Sequence, residues 1–245
     1  MSLDACAEIV AKGDPDRFQA VLAAALSARK VLLPIYAFNV EVARAPWVGS
    51  EPMISEMRLQ WWRDALEEIQ KGGSVRRHEV VTPLAGVLDG EGAAVLDRLV
   101  AARRWDCYSD AFEDAAHFDE YLDATGGGLM WVAARTLGGT DETAFRSIGW
   151  ASGLANLLLA IPELEARGRK PLVDGRGEAV STLARKGLEK IEKAPKQGRE
   201  AAVAAWRAKS ILKRAANHPS LVASGELAES EFQRRFSLIK AAWGW

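Results

Sequence analysis

A chain of 245 residues, 49% hydrophobic and 27% charged, buries roughly 70–75% of its unfolded surface on folding and has room for an internal cavity. A disulfide miniprotein, a peptide hormone and a disordered tail are excluded. The 32 basic and 33 acidic side chains leave a net charge of −1, so strong nucleic-acid binding, which needs a surplus of Lys and Arg to neutralise phosphates, is not expected.

The first dozen residues carry Asp4 and Glu8 and no basic residue before Lys12. That matches neither a secretory leader nor an Arg-rich transit peptide, and predicts a cytoplasmic protein. Asp14-Pro15 then reads as an N-cap with Pro at the first helical position, opening a helix with Phe18, Val21, Leu22 and Ala25 on one face. A second helix is expected from about Ser27 to Ala45, with Pro34 either kinking it or marking its true start. Ser50-Glu51-Pro52 starts the next, which places Met53, Met57, Trp61 and Ala65 on an apolar stripe and turns Glu56, Gln60, Arg63 and Glu67 away until Gly72-Gly73 ends it.

Shorter helices are expected at Val81 to Leu88 and Glu91 to Cys107, then one from about Phe118 to Leu137 with Gly126-Gly127-Gly128 inside it. Three glycines cost about 3 kcal/mol of helix propensity relative to alanine, so they call for a kink or a very close approach by another group. Asp141-Glu142 begins a helix that contains the uncharged run from Ser147 to Pro162 and closes by Gly168. The run is shorter than the roughly 20 residues that span a bilayer and predicts a buried helix. Helices at about Glu178 to Lys193, Arg199 to Asn217 and Glu229 to Trp243 complete an all-α reading: about ten helices in a single domain over residues 1–245, with no repeat or linker.

Chemistry is harder to read. The two cysteines, Cys6 and Cys107, have neither a CxxC spacing nor a histidine partner, which points to a reducing compartment and no zinc site. His78, His117 and His218 are scattered without a nucleophile motif, and the three glycines lack the strand and the Gly-Lys-Ser/Thr of a phosphate loop. Arg58 shares a helical face with Trp62 and Ala65, which suits an amphipathic ligand. The competing reading makes Trp61 and Trp62 core and pairs Arg63 with Glu67. Gly149, Ser152 or Gly153, and Asn156 lie close to one side of a helix, where small residues admit either a neighbour or a ligand. Glu163, Glu165, Arg167, Arg169 and Lys170 crowd a helix end, either as solvated surface or as a phosphate contact. In the last helix Phe232, Phe236, Ile239 and Trp243 form a stripe, for which core packing is preferred over a membrane interface, while Trp243-Gly-Trp245 keeps peripheral membrane contact open.

Taken together, Tyr36-Ala37-Phe38-Asn39-Val40-Glu41-Val42-Ala43, Arg58-Leu59-Gln60-Trp61-Trp62-Arg63-Asp64, and Gly149 to Asn156 with Gly168-Arg169 resemble the squalene/phytoene synthase family. The resemblance runs from about Phe18 to the C-terminal helices and implies the isoprenoid-synthase fold, with helices around a deep apolar cavity. It also implies ligand contacts at Tyr36, Phe38, Asn39, Glu41, Arg44, Arg58, Trp62, Gly153, Asn156, Glu163, Arg167 and Arg169. Active members carry two Asp-rich motifs whose carboxylates hold Mg²⁺ against a prenyl diphosphate. In this chain the first motif is replaced by Ala43-Arg44-Ala45-Pro46-Trp47, with Glu41 kept upstream, and the second by Ala160-Ile161-Pro162-Glu163-Leu164.

The phrases around Asn39, Ser50 and Arg58 are most similar to the branch containing a mitochondrial respiratory complex I assembly factor and its bacterial relatives. The expectation is therefore a non-catalytic protein without a cofactor. It would bind a prenyl diphosphate or lipid, or act on respiratory-complex subunits, in the cytoplasm or peripherally at the inner membrane. The alternative is an active Mg²⁺-dependent prenyl-diphosphate synthase or diphosphatase using Glu41, Glu163 and Glu56.

Overall fold

A computed structural model describes residues 3–48, 51–191 and 194–243, with no strand among them. Met1, Ser50 of the helix-start signal, Lys193 at the end of a predicted helix and the terminal Gly244-Trp245 lie outside the described residues. The helices are α1 (Leu3–Gly13), α2 (Pro15–Ala23), α3 (Leu26–Arg44), α4 (Pro52–Gln70), α5 (Val81–Ala85), α6 (Gly90–Arg103) and α7 (Ala115–Leu122). They continue with α8 (Gly128–Thr136), α9 (Glu142–Ala166), α10 (Gly177–Glu189), α11 (Arg199–Ala202), α12 (Ala208–Asn217), α13 (Ser220–Ser224) and α14 (Glu231–Trp243). Short 3₁₀ turns follow α3, α6 and α11.

Local signals are obeyed. The Asp14 side chain accepts the Arg17 N–H at 2.9 Å, and Asp141 accepts that of Ala144 at 3.0 Å, each capping an otherwise unsatisfied first turn. Pro34 is interior to α3, which starts upstream at Leu26. Its cost of about 3 kcal/mol is offset by the burial of Leu32 to Val40 around it. The stretch from Arg199 to Asn217 is not one helix: a 3₁₀ turn at Val203–Ala205 separates α11 from α12.

Tertiary context overrides the sequence pattern in α4. Met53 and Met57 are exposed, and the buried line is Leu59, Trp62, Leu66 and Ile69. The reason is the neighbour that each face meets: Trp62 stands edge-on to Phe38 of α3 at 5.3 Å. Arg63 does not pair with Glu67 but reaches Asp97 of α6 through two hydrogen bonds of 2.7 and 2.9 Å, while Glu67 takes Lys71 at 2.6 Å.

The glycine signals meet each other. Residues Asp123–Gly127 form a π turn between α7 and α8. There a Cβ on Gly126 would lie 2.5 Å from the Gly149 carbonyl oxygen and 3.2 Å from the Gly153 Cα. Helix α9 is long and apolar enough to cross a membrane, yet it buries ten residues from Phe145 to Ile161 inside the protein.

Both thiols are free and buried. Burial first, and the Glu79 charge second, push Cys6 up to about 11. Burial, then Asp106 and Glu56, push Cys107 up to about 11. A folded pKa above the thiol's ordinary 9.0 means that their contribution to stability is complete below pH 9 and lost as pH rises towards 11. The expected result is that neither thiol reacts with a disulfide probe at pH 8 until the protein unfolds. A Cys6→Ala/Cys107→Ala variant should lose less stability than the parent between pH 9 and 11 in urea titrations.

Candidate functional site

A cavity of about 850 Å³ opens between α1, α3, the end of α6, the π turn and α9. One wall is the last turns of α3, which supply Asn39, Glu41 and Arg44. The facing wall is α9, which supplies Gly153, Asn156 and Ala160, and Arg169 follows it in the next loop. Asn39 is buried, whereas Asn156 is exposed on the cavity wall and is not the enclosed, partner-seeking amide of the sequence reading.

The other six sequence candidates are not wall residues. Tyr36, Phe38 and Trp62 are core side chains, and the Tyr36 hydroxyl points to the Ala201 carbonyl at 3.5 Å. Arg58 is exposed on α4, although Trp62 one turn further along is buried. Glu163 and Arg167 are exposed and paired with each other at 2.6 Å. Arg167 is nevertheless close to the mouth, because it and Arg169 lie over the Trp47 ring at 4.9 and 5.0 Å, and Trp47 lines the cavity.

A second polar group on the wall was not singled out by the sequence. Arg103 donates to the Asp106 carboxylate at 2.9 Å and to the Tyr121 hydroxyl at 2.7 Å, and that hydroxyl donates to Asp106 at 2.9 and 3.0 Å. Burial, opposed by the Arg103 charge and reinforced by that of Asp106, raises the Tyr121 pKa far above the phenol's ordinary value, so it remains a donor. Arg169 joins the group by donating to the Asp106 carbonyl. The only local signal was an Arg/Asp pair three residues apart around Trp105, which any helix end shows. Lys12 and Arg17 come from the N-terminal helices, where the sequence pattern speaks only of capping.

The wall carries Lys12, Arg17, Arg44, Arg103 and Arg169 against Glu8, Asp14, Glu41, Glu79 and Asp106. Three of these acids are occupied from their own helical turn: Asp14 by Arg17, Glu41 by Arg44 at 3.2 Å and Asp106 by Arg103. These residues do not fit a magnesium ion, which takes carboxylate oxygens in a near-octahedral shell. Glu41 and Glu163 are each held by an arginine. Among the described residues no three His, Cys, Asp or Glu side chains are grouped to share a metal.

The sequence model of one family, described as squalene/phytoene synthase, matches residues 10–172. The chain is similar to a Drosophila melanogaster protein named NADH dehydrogenase (ubiquinone) complex I, assembly factor 6 homolog: 29% identical over 178 residues, 69% of this chain and 53% of that protein. It is also similar to the Homo sapiens protein named NADH dehydrogenase (ubiquinone) complex I, assembly factor 6: 24% identical over 172 residues, 64% of this chain and 48% of that one. The chain thus spans about half the length of the curated relatives it matches. The crystal structure of a dehydrosqualene synthase in complex with ligand superposes with a TM-score of 0.72 over 98% of this chain and 94% of that one. At 14% identity that likeness shows the fold, the isoprenoid-synthase arrangement of helices around a cavity. A family match extending from α1 past the end of α9, and a shared helical architecture, establish that the chain belongs to the squalene/phytoene synthase family.

Proposed function

We propose that this chain is a non-catalytic member of the family, a single 245-residue domain that holds a lipid or isoprenoid with an anionic head group and serves respiratory-complex assembly. On this reading it acts in the cytoplasm, at or near the inner membrane. The observation that carries it is the pairing of three of the five wall carboxylates. With Asp14, Glu41 and Asp106 each tied to an arginine of its own turn, a diphosphate or phosphate would have to be neutralised by cations directly.

Arg44, Arg169 and Lys12 are the wall cations for that task. Ile9, Leu157, Ala160 and Leu164 offer an apolar path for a hydrocarbon chain, and the volume of about 850 Å³ falls in the range of small-molecule pockets. The names of the curated relatives support the assembly role, which would be performed through partners that include respiratory-complex subunits.

Farnesyl diphosphate tests the reading. Calorimetric titration should give the same affinity with magnesium present or chelated, and Arg169→Glu should weaken it at least about tenfold. Gly153→Leu, which fills the cavity from α9, should abolish binding while leaving the melting temperature near that of the parent. Magnesium-dependent release of diphosphate would overturn the proposal in favour of an active enzyme, and failure of any prenyl diphosphate or phospholipid to bind would remove the cavity from the function.

A further inference from the structure

The last helix shows two faces that cannot both serve the fold. At 3.6 residues per turn, Phe232, Phe236, Ile239 and Trp243 fall within about 60° of one another, and Leu238 and Ala241 lie on the opposite side. Leu238 and Ala241 pack against Ala20, Val203 and Trp206. Arg234 strengthens that side by donating to Asp16 of α2 at 2.7 Å. The large apolar side chains are left outside: Phe232 is 79% exposed, Phe236 51%, Ile239 53% and Trp243 72%, and no residue of α14 is buried. The sequence preference for core packing of this stripe is therefore reversed. The helix is docked through its small and charged residues because those are the ones that meet α2 and the 3₁₀ turn at Val203–Ala205.

We infer that the outer face of α14 is an interfacial anchor that lies in the head-group region of an anionic phospholipid bilayer. Three observations select that occupant. The stripe is flanked by a cation on each side: Arg235, which pairs with exposed Glu231 at 3.4 Å, and Lys240, whose ammonium lies over the Phe236 ring at 4.6 Å. A narrow aromatic and aliphatic stripe bordered by long basic side chains is the pattern of a helix lying in a membrane surface, with rings at the acyl boundary and cations extended to the phosphates.

The charge of the helix agrees, with Arg234, Arg235 and Lys240 against Glu231 alone. A second copy fits poorly. Four side chains fall far short of the roughly 20–30 residues a side of a standard interface, and antiparallel self-pairing would set like cations against each other on both flanks. The inference is independent of the cavity reading, because α14 supplies no wall residue.

Sedimentation of the full chain with vesicles of phosphatidylcholine, with and without phosphatidylglycerol, decides it. The chain should bind the mixed vesicles and not the neutral ones, and lose binding as salt is raised. Phe236→Ser/Trp243→Ser should abolish binding. Arg235→Gln/Lys240→Gln should weaken it roughly thirtyfold, about a factor of five to six for each cation near the surface. All four positions are solvent-facing, so circular dichroism and melting temperature should match the parent.

A parent chain that remains in the supernatant with both vesicle types overturns the inference. So does vesicle binding that survives the variants, which would shift the contact to the other exposed apolar group at Trp47, Met53 and Met57. A parent that is dimeric on gel filtration and becomes monomeric in Phe236→Ser/Trp243→Ser, without vesicle binding, assigns the face to a second copy instead.

Discussion

Gly149→Ala is expected to lower the melting temperature by roughly 6–12 °C, as read by calorimetry or circular dichroism. An alanine Cβ at this position collides with the carbonyl oxygen of Gly126, and it lies 2.6 Å from the Cβ of Met130. Both obstacles are main-chain or first-atom groups that no rotamer change can move, so α8 and α9 must separate or the π turn must rewind. Overpacking of this kind costs typically 1–3 kcal/mol, and the double obstruction puts this site at the upper end. Gly153→Ala is the control: its Cβ meets nothing nearer than 3.5 Å, and it should leave the melting temperature within a few degrees. If the two substitutions had equal effects, close approach would not be the reason for the glycines.

Asp106→Ala should cost about 3 kcal/mol in urea unfolding, because it leaves the part-buried Arg103 guanidinium without its counter-charge. Tyr121 loses its acceptor in the same step. The cost belongs mostly to the stranded cation, so Arg103→Met/Asp106→Ala should be less destabilised than Asp106→Ala alone, a non-additivity visible in a double-mutant cycle. Since Arg169 holds the backbone carbonyl of Asp106 and not its carboxylate, lipid or prenyl-diphosphate affinity should fall less in Asp106→Ala than in Arg169→Glu. Equal losses in both would make the Arg103–Asp106–Tyr121 group part of the ligand contact itself.

The candidate site was half legible. Asn39, Glu41, Arg44, Gly153, Asn156 and Arg169 lie on the cavity wall because the family phrases that contain them mark the facing turns of α3 and α9. Phe38 belongs to the same phrase as Asn39 but points to the other side of α3, into the core. Tyr36 lies on the cavity side one turn before Asn39 and Val40 and is buried, and Trp62 belongs to the phrase on α4, a helix that supplies no wall residue. Arg58 stands on a helix that does not reach the cavity, and Glu163 is exposed and paired with Arg167 at the end of α9. Lys12, Arg103 and Tyr121 could not be seen, since nothing local distinguishes them from ordinary surface or core side chains.

Helix by helix, the chain's own order of residues settles what neighbours within a turn or two can settle. The Asp14 and Asp141 caps, the stop at Gly168 with its positive φ of 77°, and the demand of Gly126 and Gly149 for a close approach all depend on nearby backbone and on the presence or absence of a Cβ. Tertiary packing decides which side of each helix is inside and which charges meet. Arg63 takes Asp97 rather than Glu67, and the aromatic stripe of α14 faces solvent while its smaller residues do the packing. Burial and ion pairing are set by groups far apart in sequence and brought within a few ångströms, as Trp206 is to Asp16, and no local periodicity carries that information.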